Sequence, residues 1–333
     1  MITYAQNFED VMLERLFRDQ RTGFYVDAGA GSPIVHSVTK WFYDRGWSGI
    51  NIEPQPNFFS ALARERPRDI TLNCGVGARS GEAVFYDHAI REWSTFDPEL
   101  AHHSPRGLYS VVERTVPIRT LTDIIEEHGA GRVIDFLKID VEGFESEVLR
   151  GLELSHHRPA VILVEAIDRD TRKPNHELWE PLLSQQDYDS VYFDGVNRFY
   201  VPRERATLAE HFRLPPGVLD EFITHEQALL QSQCALQREQ IQTLAGIIDE
   251  LRSGPEPSAP EGLRQCIRLA YEYHLGRSPG SEELERCVSD LKNGLHVSDF
   301  LESISRSREA QERRSTLYDD STPGEVREHA SSG

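Results

Sequence analysis

Tyr25-Val26-Asp27-Ala28-Gly29-Ala30-Gly31 runs from an aromatic and β-branched strand, through an acid, into a turn with two glycines. Glycine lets the backbone approach a ligand closely, and the turn at the carboxyl edge of a parallel sheet is where such folds bind ligands. The turn continues Ser32-Pro33-Ile34, so the third glycine of a dinucleotide fingerprint is missing and a pyrophosphate cradle is disfavoured. Asp27 repels an anion at this edge but suits the ammonium of an amino-acid-like group.

Working outward, short apolar runs alternate with amphipathic ones from residue 1 to 205, the pattern of βαβ units. Strands are predicted at Phe24–Ala28, Gly49–Ile52, Ile70–Asn73, Ile134–Ile139, Ala160–Glu165, Ser190–Phe193 and Phe199–Val201. Helices are predicted at Phe8–Phe17, Val38–Asp44, Asn57–Glu65, Leu121–Glu127, Glu145–Gly151 and Glu177–Gln185. Strands apolar on both faces are covered by helices on both sides, so the reading is a doubly wound α/β sandwich. The last two strands are separated only by Asp194-Gly195-Val196-Asn197, too short for a crossover helix, so the sheet should end in an antiparallel hairpin. An extra strand pair, Ala83–Tyr86 with Thr115–Ile118, flanks a long connection from Asp87 to Glu113 that reads as a lid or substrate loop. Within it, Trp93 could close over a cofactor or simply anchor the loop.

The second strand ends Gly49-Ile50-Asn51-Ile52-Glu53-Pro54, with Glu53 24 residues beyond Gly29. A carboxylate at this distance can accept both ribose hydroxyls of a nucleoside cofactor. An acid before the glycine turn and another after the second strand suit S-adenosylmethionine better than NAD.

The chain has 36 Lys and Arg against 55 Asp and Glu, a net charge of −19, which argues against nucleic-acid binding. The four cysteines show neither a disulfide framework nor a paired metal signature. The N-terminus lacks the basic and apolar regions of an export signal, and the most apolar run, Ala160–Val164, is too short to cross a bilayer. These features together read as a cytoplasmic protein with no transmembrane segment.

Beyond Pro215-Pro216-Gly217 the composition turns to Gln, Glu and Leu. Gln227, Cys234, Ile241 and Ile248 at position a, with Ile223, Leu230, Gln237, Leu244 and Leu251 at d, predict a coiled coil over 217–253 and a homo-oligomer. The alternative is a single amphipathic helix on its own domain. Residues 254–260 read as a linker. Residues 261–314 read as a small domain of three amphipathic helices, and 315–333 as a disordered tail.

Several motifs resemble the FkbM-type class I methyltransferases: Gln6-Asn7-Phe8-Glu9-Asp10, Val26-Asp27-Ala28-Gly29, His36-Ser37-Val38-Thr39-Lys40, Tyr43-Asp44-Arg45-Gly46-Trp47, Ile52-Glu53-Pro54 and Phe136-Leu137-Lys138-Ile139-Asp140-Val141-Glu142-Gly143. The resemblance spans residues 1 to 202. It implies a Rossmann-like class I fold with a seven-stranded, mostly parallel sheet, S-adenosyl-L-methionine as donor and a hydroxyl acceptor. By it Asp27, Gly29 and Glu53 become cofactor residues, with Gly31 in the same turn; Gly75 and Val76, in Asn73-Cys74-Gly75-Val76, match the segment beside the adenine.

Asp140, at the end of the fourth strand, is placed across from Gly29, where a carboxylate can orient the acceptor or take its proton. Glu165 ends the fifth strand on the same edge. Either it hydrogen-bonds an acceptor hydroxyl or a loop amide, or with Asp140 it holds Mg²⁺, and the first reading is preferred. Glu142 should point elsewhere if Val141 continues the strand. Lys138, inside the strand, is read as the partner of an acid. His36 at a helix start can touch the donor or acceptor, or be only a cap-region residue, and Ser37 and Thr39 are donors to a cofactor carboxylate. Tyr273-His274-Leu275-Gly276-Arg277-Ser278-Pro279 resembles a Leu-Gly-Arg-x-Pro repeat turn, which accompanies surface-polysaccharide enzymes. The reading is an O-methyltransferase acting on a sugar hydroxyl of a surface glycan or its precursor. Its rivals are a non-catalytic assembly protein with a degenerate domain and an NAD-dependent oxidoreductase.

Overall fold

The seven apolar segments form one sheet. Its strands are β1 (Phe24–Ala28), β2 (Ser48–Ile52), β3 (Ile70–Leu72), β4 (Phe136–Ile139), β5 (Val161–Glu165), β6 (Tyr188–Phe193) and β7 (Asn197–Pro202). The computed structural model describes residues 1–88, 93–101, 111–129, 131–168, 171–253 and 260–311. The order across the sheet is β6-β7-β5-β4-β1-β2-β3. Neighbours from β5 to β3 run parallel, while β7 is antiparallel to both β5 and β6, so the sheet is mixed. The hairpin is made by Asp194, whose Oδ1 accepts from the N–H groups of Val196 at 2.7 Å and Asn197 at 2.6 Å.

Alternation along each strand feeds two cores. Val26, Ala28, Ile50, Ile52, Leu137, Ile139, Ile162 and Val164 pack on one face with Leu121, Ile124, Val148 and Leu183. Tyr25, Phe136, Val161 and Leu163 pack on the other with Met12, Leu13, Phe17, Phe42 and Trp47. The register sets Asp27 opposite both Asn51 and Lys138, so polar side chains share one level of the central strands.

A second, three-stranded sheet stands apart, with Gly75–Val76 parallel to Val111–Arg119, which is antiparallel to Gly81–His88. Its hairpin is longer than the pair read from Ala83–Tyr86 and Thr115–Ile118. Thr95 bridges back to Tyr86, and Pro98–Ala101 forms a short helix; the rest of the expected lid, 89–92 and 102–110, lies outside the described residues.

Three local readings need correction. The helix expected from Val38 begins at Lys40, because His36 adopts a left-handed φ of 58° and the hydroxyls of Ser37 and Thr39 accept from Arg66 at 2.7 and 2.6 Å. The helix expected over Glu177–Gln185 is split into a 3₁₀ turn, His176–Leu178, and a helix, Glu180–Ser184. Pro181, which has no N–H to give to a continuing helix, starts the second piece.

The third concerns where the first unit ends. It runs Met1–Leu230, past the expected boundary at 205. Ile223–Thr224 pairs in parallel with Ile2–Thr3, and Arg15 reaches Asp220 at 2.5 and 2.7 Å and the carbonyls of Leu214 and Pro215. The long helix is therefore His225–Ser253, 29 residues, and Ile223, counted in the heptads, is a strand residue instead.

The second unit is Gln231–Gly333. In it the helices Pro260–Leu275, Ser281–Lys292 and Val297–Ser305 bury Leu263, Ile267, Tyr271, Leu284, Val288, Phe300 and Ile304 together. The expected linker, apart from Pro260, and the tail 315–333 lie outside the described residues. Among the described residues no helix is long and apolar enough to cross a membrane.

Candidate active site

The carboxyl ends of β1, β2 and β4 open onto a cleft lined by Gly29, Glu53, Pro54, Gln55, Gly75, Val76, Phe96, Asp140 and Glu142, among others. Gly29 has φ +80°, and a Cβ there would fall 1.8 Å from the carbonyl oxygen of Asp140. Only glycine lets the first turn pass this close to the end of β4. At Gly75 a Cβ would meet the Phe96 ring at 2.4 Å, so the absence of a side chain shapes the opposite wall.

Glu53 is buried. Its Oε2 accepts from the Gly31 N–H at 2.7 Å and its Oε1 from the Gln55 N–H at 2.8 Å. The carboxylate thus ties the glycine turn to the segment after β2. The Gly77 N–H donates to the Arg119 carbonyl oxygen at 3.1 Å.

Beneath the turn lies a buried charge network. Asp27, 1% exposed, accepts from Thr39 Oγ1 at 3.2 Å. Lys138 Nζ sits 3.2 Å from Asp27 Oδ1, 3.2 Å from Asp140 Oδ2 and 3.0 Å from the Gly29 carbonyl oxygen. Lys138 is thereby the partner of acids, as its position inside a strand predicts.

After Ile139 the chain leaves the strand. Glu142 takes φ 52° and Gly143 φ 94°, and the buried Glu145 carboxylate accepts from the N–H groups of Val141 at 3.3 Å and Gly143 at 3.1 Å. This turn brings Glu142 back: carboxylate oxygens of Asp140, Glu142 and Glu165 lie within 4.8 Å of one another, because the strand stops at Ile139 and does not continue through Val141. Burial, then the carboxylates of Asp140, Glu142 and Glu145, push the Glu165 carboxyl well above the usual range. Such a group of hard oxygen ligands is also of the kind that divalent cations take.

The three acids face a second pocket with Gln6, Glu9, His36, Lys138 and Asn197. Glu9 accepts from Asn197 Nδ2 at 2.7 Å and from Asn7 N–H at 2.8 Å. Burial, then the Asp194 charge, raise its carboxyl to about 7. The two pockets share Asp140 and Glu142.

The residues singled out in the sequence separate into three groups. Gly29, Glu53, Gly75 and Val76 line the first pocket, and His36 and Glu165 the second, with Asp140 in both. Asp27 and Gly31 are not on either wall. Asp27 lies one layer below as the counter-charge of Lys138, and Gly31 acts through its amide on Glu53. Ser37 and Thr39 are occupied by Arg66, and Phe96, not Trp93, faces the cleft. Gln55, Glu9 and Asn197 were not read from sequence as site residues. Glu9 lies within the quoted Gln6–Asp10 motif, but nothing in spacing relates it to Asn197, 188 residues away.

Two comparisons bear on what this edge does. Residues 27–190 match the Methyltransferase FkbM domain, an interval that begins at Asp27 and contains Glu53, Lys138, Asp140, Glu142 and Glu165. Methyltransferase sdnD of Sordaria araneosa is 27% identical over 214 residues, covering 56% of this chain and 77% of that protein. The pockets that meet at Asp140 are thus built largely by residues that match the Methyltransferase FkbM domain, and the two comparisons together support an FkbM-type methyltransferase.

Proposed function

We propose that the chain is an S-adenosylmethionine-dependent O-methyltransferase of Rossmann-like class I topology, methylating a hydroxyl of a sugar in a surface glycan or its precursor. The observation that carries this reading is the meeting of two pockets at Asp140 and Glu142. One has the features of a nucleoside site: a cradle at Gly29 that a Cβ would fill, and a Glu53 carboxylate on the cleft wall at the end of β2, where the ribose hydroxyls of a nucleoside are bound. The other is lined by polar groups suited to a polyol.

When bound, the donor supplies an electrophilic methyl group on a sulfonium. Asp140, at the seam, accepts the hydrogen bond of the acceptor hydroxyl and takes its proton as the new carbon–oxygen bond forms. Lys138 holds that carboxylate in place. Glu165, whose carboxyl is raised by burial and by the neighbouring carboxylates, stands beside Asp140 on the acceptor side. Gln6, Glu9 and Asn197 orient the remaining hydroxyls, which is the positioning on which an in-line displacement depends. The helix His225–Ser253 leaves Leu230, a d position of its heptads, exposed, and this supports pairing with a second copy.

Titration calorimetry with S-adenosylhomocysteine, with and without Mg²⁺, tests the donor site. Micromolar binding is expected, and Glu53→Ala should weaken it by about 1.5–3 kcal/mol, the worth of hydrogen bonds to a charged group. No binding by the wild type would overturn the reading. Methyl transfer to sugars and lipid-linked glycans then tests the acceptor class.

A further inference from the structure

Gln55 follows Glu53-Pro54 and precedes the helix Pro56–Glu65. It is 7% exposed. Its Nε2 donates to Asp87 Oδ1 at 2.5 Å and to the His88 carbonyl oxygen at 3.1 Å. Arg114 Nε donates to the other oxygen of Asp87 at 2.7 Å, so Asp87 is an acceptor toward both neighbours. With two acceptors on one side, the amide can present only its nitrogen there, and the orientation of Oε1 follows.

That oxygen is buried and has no hydrogen-bond partner among the described residues. Gln55 lines the cleft beside Glu53, Pro54, Gly75 and Val76. A buried acceptor left unmatched is costly, so such a group in a cleft marks where a ligand donor belongs.

Resting on the donor site assigned above, we propose that Gln55 Oε1 accepts the 6-amino group of the adenine ring and so selects adenine over other purines. Glu53 takes the ribose hydroxyls, and the base must lie next to the ribose, along the stretch of wall that Pro54 and Gln55 form. The 6-amino group is the N–H donor of the adenine ring. Guanine and hypoxanthine present an oxygen at that position, which would face Oε1 acceptor to acceptor.

The test is calorimetric affinity of the full chain for S-adenosylhomocysteine, its 6-deamino (purine riboside) analogue and its inosine analogue, in wild type and Gln55→Met. For the wild type, removing the amino group should weaken binding roughly tenfold, the worth of one hydrogen bond, and the inosine analogue should bind more weakly still. In Gln55→Met the difference between the first two ligands should collapse to within about twofold. Equal wild-type affinity for the adenine and 6-deamino ligands would overturn the proposal while leaving the donor site intact. Failure of S-adenosylhomocysteine itself to bind would instead remove the donor site, and this proposal with it. Should Gln55→Met not fold, a crystal structure of the wild-type complex decides: Oε1 within about 3.2 Å of the 6-amino nitrogen supports the assignment, and a longer separation overturns it.

Discussion

Lys138 and Asp140 stand two residues apart and meet at 3.2 Å between Nζ and Oδ2. Residues at i and i+2 of a strand share a face, so the end of β4 delivers a cation and a carboxylate to the same point. Because the same ammonium also reaches Asp27 and the Gly29 carbonyl, one side chain ties the glycine turn to the acid between the two pockets.

Lys138→Met should therefore cost stability as well as turnover. Asp27 is 1% exposed, and removing one partner of a buried ion pair costs about 3–5 kcal/mol. Urea unfolding measures this. A loss under about 1 kcal/mol would mean that Asp27 finds compensation elsewhere.

Gly29→Ala places a Cβ against the Asp140 carbonyl at a backbone angle that side chains rarely adopt. The left-handed strain alone is worth about 1–3 kcal/mol, and relief by moving Asp140 should lower methyl transfer. Chemical denaturation and turnover are read together, and a variant unchanged in both would contradict the close approach.

Asp140→Asn keeps the shape of the carboxylate and removes its basicity. Turnover should fall by about 10²–10⁴, the usual contribution of a positioned proton acceptor, with S-adenosylhomocysteine affinity nearly unchanged. Parallel loss of both would make Asp140 a donor-binding or folding residue.

The buried carboxyls give the fold an unusual pH dependence. Burial raises Glu9 and Glu145 to about 7 and Asp10 to about 6. Between the ordinary carboxylate range and about pH 7 the folded state then holds protons that the unfolded chain has released. These groups contribute stability that is present at the low end of that window and is lost as pH rises through it. Glu9→Gln should raise the melting temperature more at pH 8 than at pH 5; an equal effect at both would show that Glu9 titrates normally.

Strands β1, β2, β4 and β5 were legible because apolar runs buried on both faces have few other uses, and the β6–β7 hairpin because four residues cannot hold a crossover. Gly29 and Glu53 were legible for a related reason: each sits where a strand ends, and a parallel sheet puts all such ends on one edge. Less legible were the three places where long-range partners override local pattern. Arg66 claims Ser37 and Thr39, Ile2–Thr3 recruits Ile223–Thr224 from the start of the heptads, and Pro181 divides a helix that reads as continuous.

The sequence by itself determined the strand ends that carry the pockets and the acid, Asp140, that lines both, since these follow from periodicity and short motifs. Only the tertiary structure decided which polar atoms face those pockets. Glu142 joins Asp140 and Glu165 because the chain turns at two positive-φ residues, Glu142 and Gly143, whose flanking amides Glu145 holds, and Asp27, on neither pocket wall, is paired with Lys138. Gln55 has the orientation of its amide fixed because Asp87 and His88, 32 and 33 residues along the chain, take its nitrogen. Side-chain direction is set by hydrogen-bond partners brought together by folding, and their separation in sequence carries no periodic trace.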